Sequence, residues 1–295
     1  MRAQPETKKI ENRLAKGTDQ RKISFITTCK GRLEHLKQTL PNLIRYSPDE
    51  VIVVDAGCPD RTASWIKEQG LPVKVIEEPM DRFHLTRARN LGAEIASNPV
   101  LCFWDADIMI SSDFIPWIKT NWRAGSTYAV RKANNPYDGI HEQGTVVCAA
   151  RDFKLIGGYD EMYNAYGGED HDLYEKLRRS GLRQQSFPQK LLHSLPHDDE
   201  IRTRFYEEKN KKMSSIKNRL YAAAKRTVLG MLPSMIELPL ETRKIISDKV
   251  ESGMKEWVEG TEFKKLRLEF SAKAWLPPPY RMLHSISIEL SVDEA

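Results

Sequence analysis

The sequence predicts an α/β protein built on a mainly parallel sheet flanked by helices, followed by a helical extension. Three observations carry that expectation. Short apolar, β-branched runs alternate with stretches of helical spacing over the first hundred residues. Polar residues close those runs, two of them with an aspartate, as in Val51-Ile52-Val53-Val54-Asp55 and in Phe103-Trp104-Asp105-Ala106-Asp107. No apolar run approaches the roughly 20 residues needed to span a bilayer, while 40% of the 295 residues are hydrophobic, ample for a core.

The elements follow in order. Residues 1–20 are polar and charged, without the apolar stretch of a secretory signal, and read as a flexible basic tail. Ile23 to Thr28 is a first strand, rich in β-branched and aromatic residues. Leu33 to Tyr46 carries leucines at helical spacing, with Pro41 expected to bend or interrupt it. Val51 to Asp55 is a continuous apolar run, the pattern of a buried parallel strand. Thr62 to Gln69 is a short helix stopped by Gly70, Val73 to Ile76 a third strand, Thr86 to Ser97 a long helix and Val100 to Trp104 a fourth strand. This alternation implies right-handed βαβ units, whose ligands bind beyond the carboxyl ends of the strands. Thr28, Asp55 and the pair Asp105/Asp107 all stand at such ends, the arrangement of a nucleotide site. Beyond them, Ser112 to Trp122 reads as a helix, Ala129 to Arg131 and Thr145 to Ala149 as strands, and Asp152 to Ile156 and Glu169 to Arg179 as helices. From Tyr206 the chain reads as mostly helical up to Pro277-Pro278-Pro279. The expected organisation is a catalytic domain over 21–200 and a mainly helical extension over 201–295.

Charge and cysteine usage narrow the class. Cys29, Cys58, Cys102 and Cys148 are scattered with no Cys-x-x-Cys, which points to buried thiols in a reducing cytoplasm. The net charge of +5 is mild and concentrated in the tail and between Arg202 and Arg226. That second segment is a solvated helix face, a loop closing over a diphosphate, or a contact with an anionic membrane surface. No nucleic-acid-binding module is recognisable, so nucleic acid is not an expected partner.

Three motifs carry chemistry. In an extended chain residues i and i+2 point the same way, so Asp105 and Asp107 at a strand end aim two carboxylates at one spot, suited to a hard divalent cation and the phosphates it bridges. A solvated turn is the plain alternative for such a pair standing alone. In Tyr166-Gly167-Gly168-Glu169-Asp170 the glycines allow close backbone approach, and the two acids open a helix whose dipole favours ionised carboxylates. Acidic capping of an ordinary turn is the structural alternative; a general base for a hydroxyl is the chemical one. His197, within Pro196-His197-Asp198-Asp199, supplies an imidazole that can complete a cation site, with His193 in reserve. Trp104 reads as core rather than as a stacking platform.

These motifs, in this order, resemble the GT-A-fold glycosyltransferases of family 2, whose nucleotide-binding core is a Rossmann-like mixed sheet flanked by helices. The resemblance spans about 22–200 and rests on Thr27-Thr28-Cys29-Lys30-Gly31-Arg32, Val53-Val54-Asp55, Ala88-Arg89-Asn90-Leu91-Gly92 and Asp105-Ala106-Asp107. Gly167-Gly168-Glu169-Asp170 is similar to an element of β-1,4-galactosyltransferases and of chondroitin or capsule polymerase domains, with Tyr166 where those carry Trp and His171 where they carry an acid. The resemblance implies an inverting transferase that uses Mn²⁺ or Mg²⁺ and a UDP-sugar donor, acting on a saccharide or lipid-linked acceptor. It implies that Asp55 accepts from the base, with Thr28 and Arg32 near the nucleoside and Arg89 near the nucleotide. Asp105 would face ribose or metal, Asp107 and His197 would ligate the metal, Glu169 would hold sugar hydroxyls, Asp170 would be the base, and Tyr166, Gly167 and Gly168 would meet the sugar. A cytoplasmic protein with peripheral membrane contact through 202–226 fits a lipid-linked acceptor. The competing readings are a sugar-1-phosphate nucleotidyltransferase, which would want a glycine-rich phosphate loop where only Lys30-Gly31-Arg32 stands, and a non-catalytic binding or scaffold module.

Overall fold

The computed structural model describes residues 21–130, 141–196, 198–259, 265–274 and 282–291. Four parallel strands form its first half: β1 (Ile23–Cys29), β2 (Glu50–Asp55), β3 (Lys74–Glu77) and β4 (Val100–Phe103). The helices α1 (Leu33–Arg45), α2 (Thr62–Glu68) and α3 (Leu85–Glu94) make the crossovers. A seven-stranded sheet in the order β3-β2-β1-β4-β7-β6-β8 results, with β6 (Ser126–Ala129), β7 (Val146–Ala149) and β8 (Arg183–Ser186) completing it. β7 is antiparallel to both β4 and β6, so the sheet is mixed rather than uniformly parallel.

The strands separate two cores by their period of two. Phe25, Val53, Cys102 and Val147 face one side with Leu36, Leu40 and Phe114, the last from α4 (Phe114–Asn121). Ile26, Ile52, Leu101, Phe103 and Val146 face the other, with Phe153 of α5 (Ala150–Leu155) and Leu173 and Leu177 of α6 (Glu169–Arg179). Trp104 belongs to the first core at 1% exposure and donates its indole N–H to Ile108 O, in accord with the core reading.

Pro41 does not interrupt α1, which runs through it. Proline removes a helical hydrogen bond, but tertiary contacts flank it: Thr39 Oγ1 donates to Ala106 O at 2.8 Å and Asn42 Nδ2 to Ile110 O at 2.7 Å. These fasten α1 to β5 (Ile108–Ile110), which pairs antiparallel with β9 (Leu192–Ser194).

The extension is helical through α7 (Asp199–Thr203), α8 (Lys211–Gly230) and α9 (Leu240–Glu259), and then departs from expectation. β10 (Lys265–Ala274) and β11 (Met282–Ser291) pair antiparallel as a two-stranded sheet. Their sequences alternate, Leu266, Leu268 and Phe270 against Ile286, Ile288 and Leu290, a period-two signal that outweighs helical propensity here. The expected tail over 1–20, Arg131 and the three prolines lie outside the described residues. Among the described residues no helix is long and apolar enough to cross a membrane.

Candidate functional site

In the sheet order, β1 lies between β2 and β4, so the direction of winding reverses between β1 and β4. That switch point opens a crevice at the strand carboxyl ends. A cleft of about 1090 Å³ lies there, reached by Thr28 near the end of β1, by Arg32 beyond it and by Asp105 and Asp107 after β4. The turn before α6 brings Tyr166, Gly167 and Gly168 to the same cleft, and the start of α6 brings Glu169 and Asp170.

Arg89 ties the two sides together. It is 2% exposed in the middle of α3, with its guanidinium 5.1 Å from the Tyr159 ring. One end donates to Asp105 Oδ1 at 2.6 Å; the other donates to Asp170 Oδ1 at 2.8 Å and to the Tyr159 hydroxyl at 3.2 Å. Arg89 lines the cleft, where a nucleotide was expected near it, and bridges two acids from its opposite walls. The planar, always charged fork suits it to that task.

Each acid has a different environment. Asp107 Oδ2 lies 3.4 Å from Arg32, and both side chains are 16% exposed. Asp105 is raised above its ordinary range: desolvation pushes it up, Arg89 pulls it back, and the Asp107 and Asp170 charges add to the rise. Glu169 is 9% exposed and its Oε2 has no hydrogen-bond partner. Burial, reinforced by the Asp170 charge, pushes its carboxyl up to about 8, so at neutral pH it is mostly protonated. The helix dipole was expected to keep Glu169 ionised; desolvation outweighs it.

The extension builds the remaining wall, which sequence reasoning left as the least readable part. Asn218 of α8, 1% exposed, donates Nδ2 to Ala165 O at 3.0 Å and to Gly167 O at 2.5 Å, holding the Gly-Gly turn. Gly168 adopts φ +97, a conformation costly for any side chain. Ser214 Oγ accepts from Tyr166 N at 2.6 Å, and Arg202 donates to the Tyr166 hydroxyl at 2.6 Å. Phe205 covers the β1 end: Phe83 N donates to its carbonyl, and a Cβ on Gly31 (φ +67) would fall 1.9 Å from its ring. Polar side chains on a helix one turn apart were the available signal; Ser214 and Asn218 are such a pair.

Other expected residues lie outside the cleft lining. Asp55 is buried, with Oδ1 accepting from Cys58 N at 2.6 Å and Oδ2 from Ala63 N at 2.8 Å, so it braces the start of α2. His193 is exposed on β9 opposite Met109 and does not line the cleft. His197 lies outside the described residues; Leu195, two positions earlier, donates its N–H to Asp107 O at 2.8 Å. Cys29, Cys58, Cys102 and Cys148 are buried and unpaired, as expected.

A separate acidic group, Asp160, Asp172 and Glu237, brings carboxylate oxygens within 4.8 Å of one another. Lys225 Nζ already occupies its centre, at 2.7, 2.7 and 2.6 Å from the three. An ammonium there leaves no place for a metal ion.

A mixed sheet with an acid-lined cleft at its switch point is the GT-A architecture of nucleotide-sugar transferases. Two solved structures share the fold. The mannosyltransferase PcManGT from Pyrobaculum calidifontis, in complex with GDP-Man and Mn²⁺, superposes with a TM-score of 0.54 at 15% identity over 83% of this chain and 75% of that one. S. aureus TarS 1–349, in complex with UDP-GlcNAc, gives 0.56 at 14% identity over 78% of this chain and 71% of that one. No curated protein sequence matches the chain. Residues 24–174 match the family model "Glycosyl transferase family 2", and the chain belongs to that family of glycosyltransferases.

Proposed function

We propose that the protein is a metal-dependent, inverting glycosyltransferase that moves a sugar from a UDP-sugar to a hydroxyl of a saccharide or lipid-linked acceptor. The observation that carries this reading is the convergence of Asp105, Asp107, Glu169 and Asp170 on one cleft, with Arg89 bridging its two sides. The complexes of similar fold hold nucleoside-diphosphate sugars, which supports that donor class.

The donor set fits a hard cation. Asp105 and Asp107 offer carboxylate oxygens to Mn²⁺ or Mg²⁺, and His197 is the proposed third ligand. When bound, the metal supplies Lewis-acid stabilisation of the departing nucleoside diphosphate. Thr28 and Arg32 flank the nucleoside, and Asp55, whose oxygens keep further lone pairs, accepts from the base. Glu169, protonated and unpartnered at Oε2, holds a sugar hydroxyl, and Tyr166 offers its ring to the sugar.

Asp170 takes the proton of the acceptor hydroxyl. The freed oxygen forms its bond to the anomeric carbon as the bond to the diphosphate oxygen breaks on the opposite side. One such displacement inverts the configuration. Arg89, bonded to Asp170 Oδ1, fixes the orientation of the base.

Calorimetry with UDP in the presence and absence of Mn²⁺, and UDP release from a panel of UDP-sugars, test the reading. Metal-dependent UDP binding and release from at least one donor are expected; absence of both sinks it. Asp170→Asn should lower transfer about 10²–10⁴-fold, the usual contribution of a general base, while UDP–Mn²⁺ binding survives. Parallel loss of binding would remove Asp170 from that role.

A further inference from the structure

We infer that the groove between α6 and α8 receives an anionic saccharide, so that the acceptor carries a phosphate or carboxylate away from the hydroxyl that reacts. The inference rests on the glycosyltransferase reading above and names the acceptor class for the same cleft.

The two helices run side by side in the same direction. Asn218 reaches Gly167 just before α6, Lys225 holds Asp172 within it, and Arg179 near its end donates to Leu229 O at 3.4 Å. The sides they turn to the cleft follow from helical spacing. On α8 these are Ser215, Arg219, Ala222 and Arg226, at steps of four, three and four; on α6 they are His171, Tyr174, Glu175 and Arg178. All line the cavity that contains Asp170, so the groove and the proposed base share one continuous space.

Charge across this groove is unbalanced. Of the acids that line the cavity from α6 beyond Asp170, Glu175 is already engaged by Arg178 through contacts of 2.6 and 3.0 Å. Asp172, on the adjoining side of α6, is held by Lys225. Arg219 and Arg226 are exposed and make no ion pair with a carboxylate among the described residues; the bond of Arg226 Nε to Ala222 O leaves the rest of its fork open. Seven residues of helix separate the two, roughly 10 Å along the axis. Arginine forks match phosphate and carboxylate geometry in a way that ammonium groups do not. Tyr174 of α6, partly exposed and lining the same cavity, adds an aromatic ring of the kind that packs on a sugar. A neutral glycan would use the aromatic face and leave both guanidinium groups unmatched.

The test uses the full chain without donor. Neutral oligosaccharides are compared, by binding on an array and by calorimetry, with the same oligosaccharides bearing one phosphate and with those bearing one uronate. At least one charged series should bind about 10-fold or more tightly than its neutral parents, in line with charge-assisted recognition, and the series that wins tells phosphate from carboxylate. The advantage should disappear in the double variant Arg219→Gln/Arg226→Gln, whose unfolding midpoint serves as the folding control. Equal binding of charged and neutral forms overturns the inference, as does a preference that survives the double substitution. A third arm adds vesicles of zwitterionic or anionic phospholipid. Arginine-dependent sedimentation with anionic vesicles, without any saccharide preference, overturns it in favour of a membrane surface. UDP–Mn²⁺ calorimetry on the wild type is read separately, so failure of donor binding and failure of the acceptor inference are distinguishable.

Discussion

In one cluster Asp160, Asp172 and Glu237 meet Lys225, Lys176 and Arg243; in the other Asp105, Asp107, Glu169 and Asp170 meet Arg89 and Arg32. The first balances three acids with three cations and is mostly buried: the side chains of Lys225, Asp160, Asp172, Glu237 and Arg243 are 1%, 0%, 9%, 14% and 17% exposed. The second has twice as many acids as cations, and Asp105 and Asp170 stay 32% and 20% exposed beside their buried arginine. The first therefore staples the extension to the catalytic domain. In the second, burial pushes the Glu169 carboxyl up, and the excess of acids over cations is what the proposed cation site rests on. Similar residue types close their charge in the structural staple and leave it open in the cleft to which the proposed chemistry belongs.

The comparison breaks first where a cation is deleted. Lys225→Met leaves three buried carboxylates with only Lys176 and Arg243 to balance them and should cost about 3–5 kcal/mol, the usual penalty for breaking a buried ion pair, read as a large drop in denaturation midpoint. Arg89→Met removes a cation whose acids still reach water, so the stability loss should be smaller, about 1–3 kcal/mol, while transfer activity collapses. Equal stability losses would erase the distinction between the clusters.

Asn218→Ala probes the seam between the two regions. It removes both bonds to the Gly-Gly turn, leaves two carbonyls unpaired and frees Glu169 and Asp170 to shift. A fall in kcat of about 10–100-fold with an unchanged KM for the donor is expected from misplacement of the base alone. A change in KM with normal kcat would deny the extension its part in catalysis.

Acid supplies the mildest probe. Burial would raise the Asp160 carboxyl, but Lys225 and Arg243 outweigh it and hold it well below the usual range. Lys225 is pushed up to about 12, because the Asp172 and Asp160 charges exceed its desolvation cost. A depressed carboxyl stabilises the fold above its unfolded value, near 4, and loses that contribution as pH falls below it. Denaturation midpoints should decline below about pH 4, and Asp160→Asn should flatten the decline. An unchanged profile would mean that Asp160 does not carry the acid sensitivity.

The parallel half of the sheet and the acids at its strand ends were legible because strand and helix periods are local properties of the chain. Val51 to Asp55 announces a buried strand with no knowledge of its neighbours, and α6 falls on the span its spacing predicts, Glu169–Arg179. The hairpin after α9 was legible too, in its alternation, but helical expectation masked it. What the sequence could not disclose are the contacts made across long stretches of chain. Arg89 and Asp170 stand 81 residues apart, and Asn218 and Gly167 stand 51 apart. Whether Glu169 is charged depends on how much water the fold removes from it and on a neighbouring aspartate, which no local rule computes. By itself the sequence determined the class of fold, the strand-end acids and the Gly-Gly-Glu-Asp turn. Only the tertiary structure decided that Arg89 bridges those acids, that α8 clamps the turn and that Lys225 rather than a metal fills the cluster of Asp160, Asp172 and Glu237, because desolvation and charge pairing exist only once distant segments pack.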